Sequence, residues 1–121
     1  MTYDKNNIFA KILRSEIPCK KIYENEYVLS FYDINPQKKI HALIIPKAEY
    51  TDLDDFSVHA NPDEMVGLLK GINIVAKKLK ISVETGKGYR ALINISEHGG
   101  QEVPHLHFHL FGGEKVGKMV S

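Results

Sequence analysis

The sequence is short of cysteine, of net charge and of long apolar runs. Cys19 is its one cysteine and has no partner for an internal disulfide, so we expect a reducing, cytoplasmic setting. Sixteen Lys and Arg against fifteen Asp and Glu leave a formal charge of +1, which disfavours nucleic acid as a partner. The longest apolar run, residues 42–45, is far shorter than the roughly 18 residues of a membrane span. Charges such as Asp4 and Lys11 also exclude a signal-peptide core.

What is present is ordinary globular composition, and 121 residues suit a single domain over residues 1–121. Apolar residues at helical spacing predict a short N-terminal helix over residues 7–13. Aromatic and β-branched residues around a polar turn predict a hairpin of residues 21–23 and 27–32. A third strand is predicted over residues 40–45, where Pro46 stops it.

A long helix is predicted to begin after Asn61, with Glu64 completing a capping box. One apolar stripe follows along it: Met65, Leu68, Leu69, Ile72, Val75, Ala76 and Leu79. Two further strands are predicted over residues 89–95 and 105–111. Strands joined by short turns, with one long helix, predict an α+β fold in which an antiparallel sheet packs against that helix.

Three of the six histidines, His105, His107 and His109, alternate with apolar residues. A β-strand sends successive side chains to opposite faces, so we expect the three imidazoles to share one face of the fifth strand. The apolar side chains between them would anchor the opposite face on the core. The other isolated histidines, His59 and His98, match no interpretable pattern and are expected on the surface.

Three interpretations of this pattern compete. Purely structural histidines would need partners for up to six buried ring nitrogens. A metal site is hindered because His105 and His109 would lie about 13 Å apart along a strand, whereas each zinc–nitrogen bond is only about 2.1 Å long. Covalent phosphoryl or nucleotidyl transfer suits histidine, which is a competent nucleophile near neutral pH. The preceding Gly99-Gly100-Gln101 segment favours this third interpretation, because its backbone N–H groups can approach an anion closely.

Residues 99–113 resemble the histidine triad (HIT) motif, in which three histidines alternate with apolar residues. Further segments are similar to the Hint branch, the histidine triad nucleotide-binding proteins: residues 8–12, 17–18, 31–37, 41–47 and 88–90, together with Asn94. The resemblance covers nearly the whole chain. It implies a HIT-like α+β fold, with a five-stranded antiparallel sheet in each protomer, one long helix, a short N-terminal helix and a homodimer.

The resemblance also implies an enzyme, a purine nucleoside phosphoramidase. Such a hydrolase cleaves the P–N bond of adenosine 5′-phosphoramidates such as lysyl-AMP, and releases AMP through a covalent nucleotidyl-histidine. The implied nucleophile is His107, whose other ring nitrogen is held by a main-chain carbonyl near His105. His109 is implied to bind phosphate oxygens and assist the leaving amine, and His41 is the fourth histidine of the site. The substrates would be AMP or GMP conjugates, with no cofactor and no metal required.

For the nucleotide, the resemblance implies that Asp33 accepts hydrogen bonds from the ribose. Five apolar residues would form the purine slot: Ile8, Phe9, Ile12, Phe31 and Ile34. Asn94 and the backbone of Gly100, Gln101, Glu102 and Val103 would hold the phosphate. Taken alone, each of these residue types would be expected in a core or a turn, and only their occurrence together with the triad favours a nucleotide site.

The sequence departs from the animal members of the branch at two places. Glu102 stands where they carry a serine, and we expect its side chain to turn away from the phosphate. The tail, residues 114–121, lacks their Trp-Pro-Pro ending, so the resemblance implies no leaving-group preference.

Three alternatives remain at this point. The first is a dinucleoside polyphosphate hydrolase of the Fhit type. The second is the uridylyltransferase branch, which is disfavoured because it has glutamine at the position of His109. The third is a nucleotide- or zinc-binding interaction module without turnover.

Overall fold

The computed structural model describes residues 2–120. Within that part of the chain, five strands form one antiparallel sheet in the order β1-β2-β3-β5-β4. The strands are β1 (Lys21–Glu24), β2 (Val28–Tyr32), β3 (Ile40–Pro46), β4 (Arg90–Leu92) and β5 (Phe108–Gly112). The helices are α1 (Ile8–Leu13), α2 (Leu53–His59) and α3 (Pro62–Lys78). The predicted α+β class, hairpin, third strand and two predicted helices are confirmed. No helix of these residues is both long and apolar enough to cross a membrane.

The long helix α3 begins as its capping pattern predicts. The Asn61 side chain accepts a hydrogen bond from the Glu64 backbone, and the Glu64 carboxylate accepts one from the Asn61 backbone. Helix α2 is not predicted from the sequence, because it is seven residues long and buries only Phe56. One buried residue produces no apolar period. The sequence signal for α2 is confined to its N-cap, Asp52, whose side chain accepts a hydrogen bond from the Asp55 backbone.

Two predicted strands are shorter than expected. The fifth begins at Phe108 instead of His105, so the prediction of three histidines on one strand face is wrong. Pro104 has no N–H to donate to a neighbouring strand, and the His105 N–H donates to the Val103 carbonyl in a tight turn. The fourth ends at Leu92 instead of residue 95. Leu92 pairs with His109, so in this register residues 94 and 95 would face residues that precede β5.

The alternation of β3 and β5 separates two packed faces. On one face, Ala42, Ile44 and Leu110 are buried against α3. On the other, Leu43 and Ile45 pack with residues of β2 and with Phe9 of α1. His41 and His109 belong to this second face, which the short α1 covers only in part. The register pairs His109 with Leu43, so the two histidines are diagonal neighbours across the β3–β5 ladder.

Candidate active site

His107 is buried directly before β5, with 6% of its surface exposed. Its Nδ1 donates to the His105 carbonyl at 2.7 Å. A carbonyl oxygen only accepts, so the ring proton lies on Nδ1 and Nε2 keeps a lone pair. The ring edge packs against Phe9, with centroids 4.9 Å apart. Burial lowers the pKa of His107, although the His105 carbonyl and the charges of Asp33 and Glu102 oppose this effect, so the imidazole is neutral at neutral pH.

His109 is held in the tautomer opposite to that of His107, with its proton on Nε2. The Gln37 backbone N–H donates to Nδ1 of His41 at 3.2 Å, which leaves the His41 proton on Nε2. That nitrogen lies 2.9 Å from Nδ1 of His109 and 3.4 Å from Oδ2 of Asp33. His41 therefore donates to His109, and the proton of a neutral His109 must lie on Nε2.

Burial is the largest influence on both of these histidines. It lowers the pKa of His109 to about 4, helped by the neighbouring charges of His107 and His41 and opposed by Asp33. Burial also lowers the pKa of His41, again opposed by Asp33. An anion arriving in the site would favour the protonated forms, as Asp33 does, because both carry negative charge.

His107 and His109 line one open cavity of about 750 Å³, with ring centroids 5.1 Å apart. An apolar wall is formed by Phe9, Leu43 and Leu92. Other described lining residues carry oxygen, nitrogen or cationic groups: Asp33, Gln37, Lys38, Arg90, Asn94, Gly100, Glu102 and Lys118. Such a cavity can hold an apolar ring at one end and an anion at the other.

The structure brings eight of the predicted site residues to this cavity: Phe9, Asp33, Asn94, Gly100, Glu102, Val103, His107 and His109. Asn94 donates to the Gly99 carbonyl at 2.7 Å and so holds the glycine turn. Gly100 has a φ of +77°, a backbone conformation that suits glycine. Glu102 is exposed at the cavity.

Seven other predicted residues lie outside the described lining of the cavity. Phe31 is buried behind Phe9, with centroids 5.7 Å apart, and Ile12 packs in the same cluster. Ile8 is 40% exposed and Ile34 is 82% exposed. The remaining three support the site from behind: His41, His105 and Gln101. The Gln101 side chain donates to the Thr51 and Val103 carbonyls.

His105 is fully buried behind His107 and is not among the residues within 2–120 that line the cavity. Its Nε2 donates to the Pro46 carbonyl at 2.8 Å, and its Nδ1 lies 2.5 Å from the Tyr3 hydroxyl. Burial lowers the pKa of His105 to about 4, with a smaller contribution from His107, while the Pro46 hydrogen bond opposes the shift. The first histidine of the series therefore supports the second from the core.

The HIT domain family matches residues 14–116. The chain belongs to the HIT domain family. An uncharacterised HIT-like protein of Azospirillum brasilense is 50% identical over 120 residues, 99% of this chain and 96% of that protein. The purine nucleoside phosphoramidase of Escherichia coli K12 is 38% identical over 117 residues, covering 97% of this chain and 95% of that enzyme.

Solved structures agree with this assignment. A HIT family hydrolase from Clostridium thermocellum superposes with a TM-score of 0.85 and 36% identity, and the match covers 98% of this chain and 99% of that chain. The predicted HIT fold is thus confirmed. The hydrolase and phosphoramidase among these relatives support hydrolase chemistry for this HIT protein.

One group of three side chains in residues 2–120 of the HIT protein has metal-ligand spacing. The ligand atoms of Asp33, His41 and His109 lie within 4.8 Å of one another. The metal site weighed from the sequence had its ligands along one strand, whereas these come from neighbouring strands and a turn. A zinc ion would need the lone pair of His41 Nε2. That nitrogen carries the proton while Nδ1 accepts from Gln37, so this arrangement favours a hydrogen-bonded pair over a metal centre.

Several lining residues of the HIT protein were not predicted from its sequence: Gln37, Lys38, Leu43, Leu92, Phe111 and the tail residues 116–119. Gln37 acts through its backbone N–H, which leaves no side-chain signature. Phe111 could have been found from the alternation of β5, because it shares a face with His109 and stacks on it with an interplanar angle of 2°. Arg90 enters the sequence analysis only as part of the resemblance. Its hydrogen bonds to the carbonyls of Gly117 and Lys118 are tertiary contacts, which no local sequence pattern predicts.

Proposed function

We propose that this HIT protein is a purine nucleoside phosphoramidase, which hydrolyses the P–N bond of adenosine 5′-phosphoramidates and releases AMP. The observation that carries the proposal is the opposite protonation of two histidines in one cavity. His107 has a lone pair on Nε2, and His109 has a proton on Nε2. A nucleophile and an acid on opposite sides of one phosphorus atom are the two groups that P–N cleavage requires.

In the first step, His107 Nε2 attacks the α-phosphorus and a nitrogen–phosphorus bond forms. The P–N bond to the amine breaks, and the amine leaves with a proton from Nε2 of His109. His41 can replace that proton by donating from Nε2 to Nδ1 of His109, across their 2.9 Å hydrogen bond. Before this step, the negative charge of the bound substrate favours uptake of one proton from solvent by the His41–His109 pair, and Asp33 stabilises that cation. Giving one proton to the amine then leaves both rings neutral.

In the second step, a water molecule attacks the same phosphorus and the bond to His107 breaks. The water proton returns to the His41–His109 pair, the hydroxyl becomes part of AMP, and both histidines regain their starting forms. The equatorial oxygens need donors throughout. Val103 and Asn94 line the cavity, and the Asn94 amide has a second hydrogen besides the one donated to the Gly99 carbonyl. The N–H groups of Gly100 and Gln101 donate to the Glu97 and Ser96 carbonyls, so they hold the turn and are not free for the phosphate.

The remaining lining residues suit a nucleoside. Asp33 has a carboxylate that can accept from both ribose hydroxyls. Phe9, Leu43 and Leu92 provide apolar surface for a purine ring. The similarity to the Escherichia coli purine nucleoside phosphoramidase supports this substrate class.

Mass spectrometry of a rapidly quenched reaction with an adenosine 5′-phosphoramidate tests the proposal. We expect an AMP-sized adduct localised to His107 by fragmentation, present in a His59→Ala control and absent in His107→Ala. His59 is a suitable control because it is exposed and pairs only with Asp55 among the described residues. An adduct on another residue would overturn the assignment of the nucleophile.

A substrate comparison separates the alternatives. The proposal requires faster turnover of the phosphoramidate than of a diadenosine polyphosphate. The reverse preference would favour a dinucleoside polyphosphate hydrolase. Nucleotide binding without turnover of either compound would identify a binding module.

A further inference from the structure

We propose that Tyr3 is a positioning residue for His107, which it reaches through His105. The inference rests on the proposed role of His107 as nucleophile and adds a residue that never touches the substrate. Tyr3 lies ahead of the segment that the HIT domain match covers. Its hydroxyl is 2.5 Å from Nδ1 of His105.

The hydrogen bonds around Tyr3 have one consistent direction. The Pro46 carbonyl can only accept, so His105 carries its proton on Nε2. Nδ1 of the neutral His105 ring is then an acceptor, and the Tyr3 hydroxyl must donate to it. The Tyr3 oxygen in turn accepts from Nδ2 of Asn7 at 2.9 Å. The hydrogen bond from Asn7 thus orients the Tyr3 hydroxyl so that its proton points to His105.

This chain fixes the carbonyl that orients the nucleophile. The His105 ring is held at Nε2 by Pro46 and at Nδ1 by Tyr3, while its backbone N–H is held by the Val103 carbonyl. With ring and backbone both restrained, the His105 carbonyl has one position. That carbonyl accepts from Nδ1 of His107 and so determines where the reactive Nε2 points.

Asn7 links Tyr3 to the second support of His107. The Asn7 side chain caps α1 by accepting from the Ala10 backbone at 2.9 Å. Helix α1 carries Phe9, whose ring packs against His107. One buried asparagine therefore holds both the hydroxyl behind His105 and the helix in front of His107.

Loss of the Tyr3 hydroxyl would leave Nδ1 of His105 without its donor and Asn7 Nδ2 with only its bond to the Asp4 carbonyl at 2.7 Å. His105 is fully buried and Asn7 is 6% exposed, so water cannot readily replace the hydroxyl. Burial raises the pKa of Tyr3, with the Asn7 hydrogen bond opposing it. The hydroxyl therefore keeps its proton at neutral pH and remains a donor. We expect the His105 ring to rotate in response. This rotation would shift the His105 carbonyl, and His107 would lose its fixed orientation.

Tyr3→Phe tests the inference, with Tyr50→Phe as the matched control. Tyr50 also loses one hydroxyl hydrogen bond, to Glu64 at 2.8 Å, but that bond lies at the start of α3. We expect kcat of Tyr3→Phe to fall about tenfold, with KM changed less than about twofold. Tyr50→Phe should retain the kcat of the unmodified protein. Equal kcat losses in the two variants would show a general structural effect and overturn the inference.

A second readout does not depend on turnover. Nitrogen-15 NMR of the unmodified protein should show His107 protonated on Nδ1 alone, and Tyr3→Phe should show averaging between Nδ1 and Nε2. Asn7→Asp should act in the same direction, since aspartate keeps the helix cap but draws the Tyr3 proton away from His105. Unchanged His107 nitrogen shifts in both variants would overturn the inference. If the unmodified protein turned over no phosphoramidate, the proposed function would fail while these shifts still tested Tyr3.

Discussion

The two faces of the sheet differ in what covers them and in how their residues are held. On the helix face, Ile44, Leu110 and Val75 are fully buried by one another and by further apolar neighbours. On the site face, His41, His105 and His107 are nearly as buried, but each is held by specific hydrogen bonds. Apolar packing is shared among many neighbours, whereas each ring nitrogen depends on one partner.

This difference separates stability from chemistry. A change on the helix face should weaken the fold and leave the remaining folded molecules active. A change on the site face should alter turnover more than it alters stability.

The largest effect is expected from His107→Ala on the site face. Removing a nucleophile should lower kcat at least about 10³-fold. Binding of AMP should persist, because the cavity walls and the His41–His109 pair remain. Turnover assays and calorimetric titration with AMP would measure both quantities. Turnover close to that of the unmodified protein would refute the assignment.

Leu68→Ala makes the corresponding change on the helix face. Leu68 is 2% exposed on α3, and truncation of a buried leucine costs about 2–5 kcal/mol of unfolding free energy. Its neighbour Leu69 is 65% exposed, so Leu69→Ala should change stability by less than about 0.5 kcal/mol. Urea unfolding measures both. If Leu68→Ala also lowered kcat of the folded fraction, the helix face would contribute to turnover as well as to stability, and the distinction between the two faces would fail.

The pH dependence of stability should come from the site face. Burial lowers the pKa of His105 and of His109 to about 4, so the unfolded chain takes up protons first as the pH falls. Stability is then complete above the unfolded histidine pKa of about 6.5 and is lost as the pH falls towards about 4. Between pH values of about 7.5 and 5, we expect each of the two rings to contribute a loss of about 2 kcal/mol. Urea unfolding free energies that stay constant over this interval would contradict the neutral, buried state of these rings.

The sequence predicted the helix face better than the site face, and the reason is physical. Repeated apolar residues report burial, and the apolar stripe of α3 and the apolar runs of β2 and β3 are such signals. The resemblance supplied His107, Asp33 and Asn94, which residue types alone would have assigned to ordinary structure. The fifth strand was extended too far because alternation continues through His105, although Pro104 and the turn at Val103 divert the backbone hydrogen bonds.

Contacts made by backbone groups account for most of what was missed at the site. The Gln37 N–H sets the protonation of His41, and the Pro46 carbonyl sets that of His105. Every residue carries these groups, so no sequence pattern marks the ones that matter. The role of Tyr3 was not predicted for a different reason, because its partner His105 lies 102 positions away in the sequence.

The smallest effect is expected at the edge of the site face, where Arg90 holds the tail. Its guanidinium donates to the Lys118 carbonyl at 3.0 Å and to the Gly117 carbonyl at 2.8 Å. Both bonds are exposed, so Arg90→Lys should cost less than about 1 kcal/mol of stability. Because Lys keeps the charge but not the two-pronged geometry, the tail should loosen where it lines the cavity. We therefore expect KM for a phosphoramidate to rise about two- to threefold with kcat nearly unchanged. A kcat loss as large as that of Tyr3→Phe would place Arg90 in the chemistry itself and extend the site face to β4.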